Sequence, residues 1–144
     1  MERKDKQTIS KLKLIAIREQ ARQIRAKQEK IEELRMSLYG TGIDYSKDNV
    51  QTSPVNTMEL YEAEIDYLTR EVNAMKQSLI NKAKKLQVMS NKERFILINK
   101  YFNDMSINQI SRKMKKSKRT VNYIHSDALE NYYDIVIDLH SQKE

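Results

Sequence analysis

An all-α fold is predicted by three features of this 144-residue chain. Helix breakers are almost absent, with two Gly and one Pro in the whole sequence. Apolar residues recur in steps of three and four, the period of a helix face, instead of alternating as in a strand. Small polar residues or Gly stand where those runs begin and end. Charged residues make up 33% of the chain and the mean hydropathy is -0.79. That composition favours long amphipathic helices over one large core, so their apolar stripes need cover from this chain or from another copy.

The first element is a long basic helix. Leu14, Ile17, Ala21, Ile24, Gln28, Ile31, Arg35 and Leu38 form a heptad seam with polar interruptions, placing one helix over 8–39 within an N-terminal segment 1–39. Gln28 and Arg35, like Lys82 in the second seam, either specify register or a modest oligomer or sit at the margin of the seam, the marginal reading being preferred. Gly40-Thr41-Gly42 stops the helix, and 40–53, rich in Asp, Ser, Asn and Gly, is expected to be a flexible linker. Ser53-Pro54 supplies an N-cap followed by proline at the first helical position, with Thr57 as a competing cap. A second long helix over 54–89 then carries Tyr61, Ile65, Leu68, Val72, Met75, Leu79, Lys82, Leu86 and Met89 at the same spacing. Two such helices can fold back as an antiparallel hairpin or pair with their counterparts in another copy, and the spacing allows both.

The remaining segment, 90–144, reads as shorter helices. Ser90 followed by Glu93 is a capping-box pattern opening a helix with Phe95, Ile98, Tyr101 and Phe102 available for burial. Asn103-Asp104 breaks it. Ser106 followed by Gln109 repeats the box, and Ile107, Ile110 and Met114 give the next helix an apolar stripe. Ser117 restarts a helix that runs from Lys118 to about His140, with Val121, Ile124, Ala128, Leu129, Tyr132, Ile135, Val136 and Leu139 at helical period. Two short helices around a tight turn are the pattern of a helix-turn-helix. Lys115 stands in that turn and has to accept a left-handed or distorted backbone.

Charge is placed unevenly. Residues 1–39 carry 11 basic and 6 acidic side chains, whereas 58–89 carry 5 of each. In 112–119, Arg112, Lys113, Lys115, Lys116, Lys118 and Arg119 set six positive charges with no negative one among them. Around a helix-turn-helix, this is what attraction to a phosphate backbone requires. Asp127, Glu130, Asp134 and Asp138 follow, so a more acidic face is expected to point elsewhere.

Several classes are excluded on this reading. Without cysteine there are no disulfides, thiolate metal sites or cysteine nucleophiles. His125 and His140 have no neighbouring His or Cys, so no metal site is expected, and His125 is expected on the exposed surface, with contact to the DNA backbone as the alternative. Met58, Met75, Met89, Met105 and Met114 are assigned to gap-filling in the core. Glu59, Glu62, Glu64 and Asp66 sit on a charged helix face with no sign of paired-carboxylate catalysis, and no phosphate loop or nucleophile motif is present, so no enzyme and no cofactor is expected. No apolar run is long enough to cross a bilayer, and MERKDKQTISK lacks a signal peptide's apolar stretch, which makes a cytoplasmic location and no membrane partner the expectation.

From Asn91 to Tyr132 the sequence resembles region 4 of bacterial sigma-70 factors, and is most similar to the sigma-4-like domain of small phage late-gene activators of the ArpU and RinA type. The features that carry the resemblance are the aromatic pair Tyr101-Phe102, the short acidic turn before Ser106, the Ile107-x-x-Ile110-Ser111 pattern, Ser117 as second cap and the trailing Ala128-Leu129. The resemblance implies that the helix opening at Ser117 is a recognition helix. Lys118, Arg119, Asn122 and Tyr123 then correspond to positions that enter the major groove, and Ser117 and Thr120 to positions near phosphates. It further implies late-gene control in a bacterial host, with host RNA polymerase as a candidate partner.

The residues fit those roles chemically. Arg119 can pair in bidentate fashion with guanine and Asn122 with adenine, while Arg112, Lys113, Lys115 and Lys116 add sequence-independent attraction. The expected partners are double-stranded DNA and further copies of the chain joined through the long helices. Two other readings stay open: a phage small terminase subunit that recognises packaging DNA as a large ring, and a coiled-coil adaptor whose basic face is incidental.

Overall fold

A computed structural model describes residues 1–40 and 56–138, and every regular element among them is helical. α1 spans Arg3–Arg35 and widens into a final turn over Met36–Gly40. α2 spans Thr57–Lys84 and tightens over Lys85–Val88. α3 (Asn91–Leu97) continues in wider turns over Ile98–Phe102. α4 (Ile107–Met114) and α5 (Lys118–Tyr132) follow, and α5 widens over Tyr133–Asp138. No helix among the described residues is long and apolar enough to cross a membrane. The linker over 41–53, the Ser53-Pro54 cap and the stretch from Leu139 through His140 lie outside the described residues.

The chain forms two compact units, Gln23–Gln77, and Met1–Arg22 together with Ser78–Glu144. Their limits fall inside α1 and α2, and so cut across the segments drawn from sequence.

The first unit is an antiparallel helical hairpin. Lys27 Nζ donates to Glu71 at 3.1 Å and the Tyr39 hydroxyl to Glu62 at 3.1 Å, so rising numbers in α1 meet falling numbers in α2. Ile24, Ile31, Leu34 and Leu38 of α1 are buried, as is Val72 of α2. Gln28 and Arg35 are exposed, as their marginal assignment requires, and Leu34 completes the stripe in their place. The cap of α2 is Asn56. Its Oδ1 accepts from the Met58 amide at 2.8 Å and its carbonyl from Leu60, which makes Thr57 the first helical residue and not the cap. Met58, assigned to the core from sequence, is 37% exposed.

The second unit holds the larger core. Leu14 and Ile17 of α1 pack with Leu86, Met89, Leu97, Tyr101, Ala128, Leu129, Tyr132 and Val136. The start of the N-terminal helix is therefore part of the same core as the C-terminal elements. Buried apolar side chains of this size contribute roughly 1.5–3 kcal/mol each relative to exposure. Ion pairs line the same contact: Arg3 with Asp127 at 2.6 Å and Glu130 at 3.1 Å, and Lys6 with Asp134 at 2.8 Å. The acidic residues that follow the basic cluster thus meet cations of α1. The pairs are mostly solvent-exposed, so each contributes about 0–1 kcal/mol.

Candidate nucleic-acid interface

A smaller cluster in the second unit builds the candidate site. Ile96, Ile110 and Val121 are fully buried together, with Phe95, Met105, Ile107, Met114 and Ile124 packed against them. One face of α3, α4 and α5 is fixed by these residues, and the polar faces of α4 and α5 are left to solvent. Ile96 and Leu97, both 0% exposed, were not among the residues assigned to burial from sequence.

Each helix start is set by a hydroxyl. Ser106 Oγ accepts from the Gln109 amide at 3.2 Å, and the Gln109 side chain accepts from the Ser106 amide at 2.9 Å, completing a capping box. Ser90 also caps, accepting from the Glu93 amide at 3.3 Å. Glu93 does not return the bond as the sequence pattern suggests. Both its carboxylate oxygens accept from Asn131 Nδ2 at 3.0 Å, tying α3 to α5. A tertiary donor has replaced the local one.

The turn between α4 and α5 adopts the left-handed backbone expected at Lys115, with φ 55° and ψ 43°. The Lys115 amide donates to the Arg112 carbonyl at 3.3 Å and the Lys116 amide to the Ser111 carbonyl at 3.1 Å, the paired bonds of a Schellman stop. The Ser111 hydroxyl reinforces the turn by donating to the Lys116 carbonyl. Ser117 then caps α5: its Oγ accepts from the Thr120 amide at 3.1 Å and donates to Thr120 Oγ1 at 2.9 Å. The hydroxyls of Ser117 and Thr120 are thus engaged with each other at the helix start.

Around this turn, Arg112, Lys113, Lys115, Lys118 and Arg119 are exposed and Lys116 is half-buried. None of the six forms an ion pair among the described residues, whereas Arg3, Lys6 and Arg22 of the same unit are all paired. Val121 is buried, and Asn122 and Tyr123 beside it are exposed, Tyr123 at 69%. The proposed base-reading positions therefore stand on the solvent side of α5, one turn from the unpaired cations.

His125 departs from expectation. Its ring stacks on Tyr101 with centroids 5.8 Å apart, and Nε2 shares a 2.8 Å hydrogen bond with the Tyr101 hydroxyl. Burial, with Lys100 and Lys11 nearby, pushes the imidazole down to about 4, and burial holds the Tyr101 phenol up at about 12 despite the Arg18 charge. Its contact with Tyr101 leaves the residue half-buried instead of on the exposed surface. No group of His, Cys, Asp or Glu able to hold a metal occurs among the described residues. Comparison with known protein families, curated proteins and solved structures finds no match.

Proposed function

We propose that this chain is a sequence-specific double-stranded DNA-binding transcriptional regulator and not an enzyme. The reading is carried by one observation: six cations within eight residues, none with a carboxylate partner among the described residues, surround a capped turn between two short helices. An unpaired cation gains more from a phosphate than one already held in an ion pair, and it releases counterions from DNA on binding. Lys118, Arg119, Asn122 and Tyr123 read bases in the major groove from α5. Arg112, Lys113, Lys115 and Lys116 contact phosphates, with Ser117 and Thr120 at the helix start. The resemblance to sigma-70 region 4 and to phage late-gene activators supports action at promoter DNA in the bacterial cytoplasm, with host RNA polymerase and further copies of the chain as partners.

Substitutions separate the two roles. Changing Lys115 and Lys116 together to Ala is expected to weaken binding to every duplex and to reduce the slope of log affinity against log salt by about two. Arg119→Ala is expected to relax preference at one base pair, costing about 1–3 kcal/mol for the preferred site and little elsewhere. Binding titrations at several salt concentrations check both. Indistinguishable losses in the two variants would remove the division of roles. Native mass distinguishes the terminase reading, which requires a ring of many copies.

A further inference from the structure

A second basic feature lies in the same unit, away from the turn. Lys11, Ile15 and Arg18 share one face of α1, at positions i, i+4 and i+7. Together with Lys100, Tyr101, Ile107, Asn122 and His125 they line a cavity of about 380 Å³. That volume is within the range of small-ligand pockets, roughly 300–1,000 Å³.

The lining holds three cations and no carboxylate. Asp104, the acid nearest in effect to Lys100, is engaged by Arg22 through two bonds of 2.8 and 3.0 Å. Arg18 Nε is buried with no hydrogen-bond acceptor, a donor left waiting in a native fold that pairs nearly all of them. Lys100 stands 5.7 Å over the Tyr101 ring, and desolvation together with Arg18 and Lys11 holds its ammonium below the usual lysine range. Like charges gathered around a half-enclosed space, with an unsatisfied guanidinium donor beside them, are relieved by an anion and by little else. Asn122 and the Tyr101–His125 pair add neutral hydrogen-bonding groups at the wall, suited to phosphoryl oxygens.

We propose that this cavity is a phosphoryl-binding site, held by Lys11, Arg18 and Lys100 with Asn122 and His125 at its wall. The anion is either a backbone phosphate of nucleic acid lying along α5 or the phosphate of a free small ligand. The site shares Asn122 with the proposed base-reading face of α5 and does not otherwise depend on α5 reading DNA.

The test uses the full chain, isotopically labelled, titrated with inorganic phosphate against chloride at constant ionic strength and followed by NMR. Saturable shifts confined to the lining residues are expected in phosphate alone, with the His125 pKa rising as the anion offsets the neighbouring positive charge. Lys100→Gln is expected to weaken phosphate at least tenfold, and Arg18→Gln likewise, each checked for an unchanged fold. Lys92→Gln, exposed on α3 and outside the cavity, should bind phosphate as the parent does. Shifts that are identical in the two salts, or phosphate affinity unchanged in folded Lys100→Gln and Arg18→Gln, overturn the proposal. A short DNA duplex added to the phosphate-bound chain identifies the source. Displacement of phosphate supports the site as a nucleic-acid contact. DNA binding that leaves phosphate in place supports it as a small-ligand site, and saturable phosphate binding with no DNA binding at all does so while counting against the DNA reading of α5.

Discussion

Two residues show how much of the site rests on single backbone or protonation choices. Lys115 occupies the left-handed region, where a Cβ costs roughly 1–2 kcal/mol and Gly nothing comparable. A cation is thereby kept at the centre of the basic turn at the expense of stability. Lys115→Gly is expected to stabilise the chain by about 1 kcal/mol in urea unfolding, and Lys115→Ala to give no such gain. His125 makes the opposite kind of demand, because it is held neutral beside Tyr101. Its folded pKa of about 4 lies below the ordinary 6.5, so between these values the unfolded chain binds the proton and the folded chain does not. The stability it contributes is fully present above pH 6.5 and is lost as the pH falls towards 4. Unfolding measured at pH 7 and at pH 5 should show this loss in the parent and a smaller loss in His125→Gln. An equal loss in both would place the sensitivity in other groups.

At the scale of elements, local signals were legible and tertiary ones were not. Ser90, Ser106 and Ser117 cap the helices they precede in sequence, since a hydroxyl and an amide three residues on need only local backbone to meet. The left-handed Lys115 was legible for the same reason. Glu93 departs from the capping-box pattern because its carboxylate has a distant partner, Asn131, that no local pattern announces. Asn56 escaped notice as the cap of α2 because Ser53 and Thr57 offered equally good local chemistry. The fold-back of α1 and α2 was one of two pairings the heptads allowed, and Lys27–Glu71 and Tyr39–Glu62 are contacts that spacing alone does not choose. The packing of α1 against α5 was the largest omission. Its consequence is that Leu14, in the first helix, supports the unit that carries the candidate interface. Leu14→Ala is expected to cost about 2–5 kcal/mol. Hydrogen exchange should then quicken across α3 and α5 as well as α1. Protection lost in α1 alone would mean that the contact does not support the C-terminal elements.

For the whole molecule, the distribution of charge matters more than the net charge of +7. Arg3 and Lys6 neutralise the acidic half of α5, Arg22 engages Asp104, and Lys27 pairs with Glu71, holding that carboxyl below its ordinary range. Among the described residues, cations without ion pairs gather at the turn from Arg112 to Lys116, at the start of α5 and at the cavity around Lys100. The first two were visible as a charge run in the sequence. The third was hidden, because Lys11, Arg18 and Lys100 come together only when α1 packs beside α3, and 1–39 showed no more than a general basic excess. The most direct measurement of what this arrangement is for is selection of bound sequences from a random duplex library by the full chain near physiological salt. Enrichment of one motif, with preference at a single position lost in Arg119→Ala, is the expected result. Binding without enrichment, or no binding, would contradict sequence reading by α5.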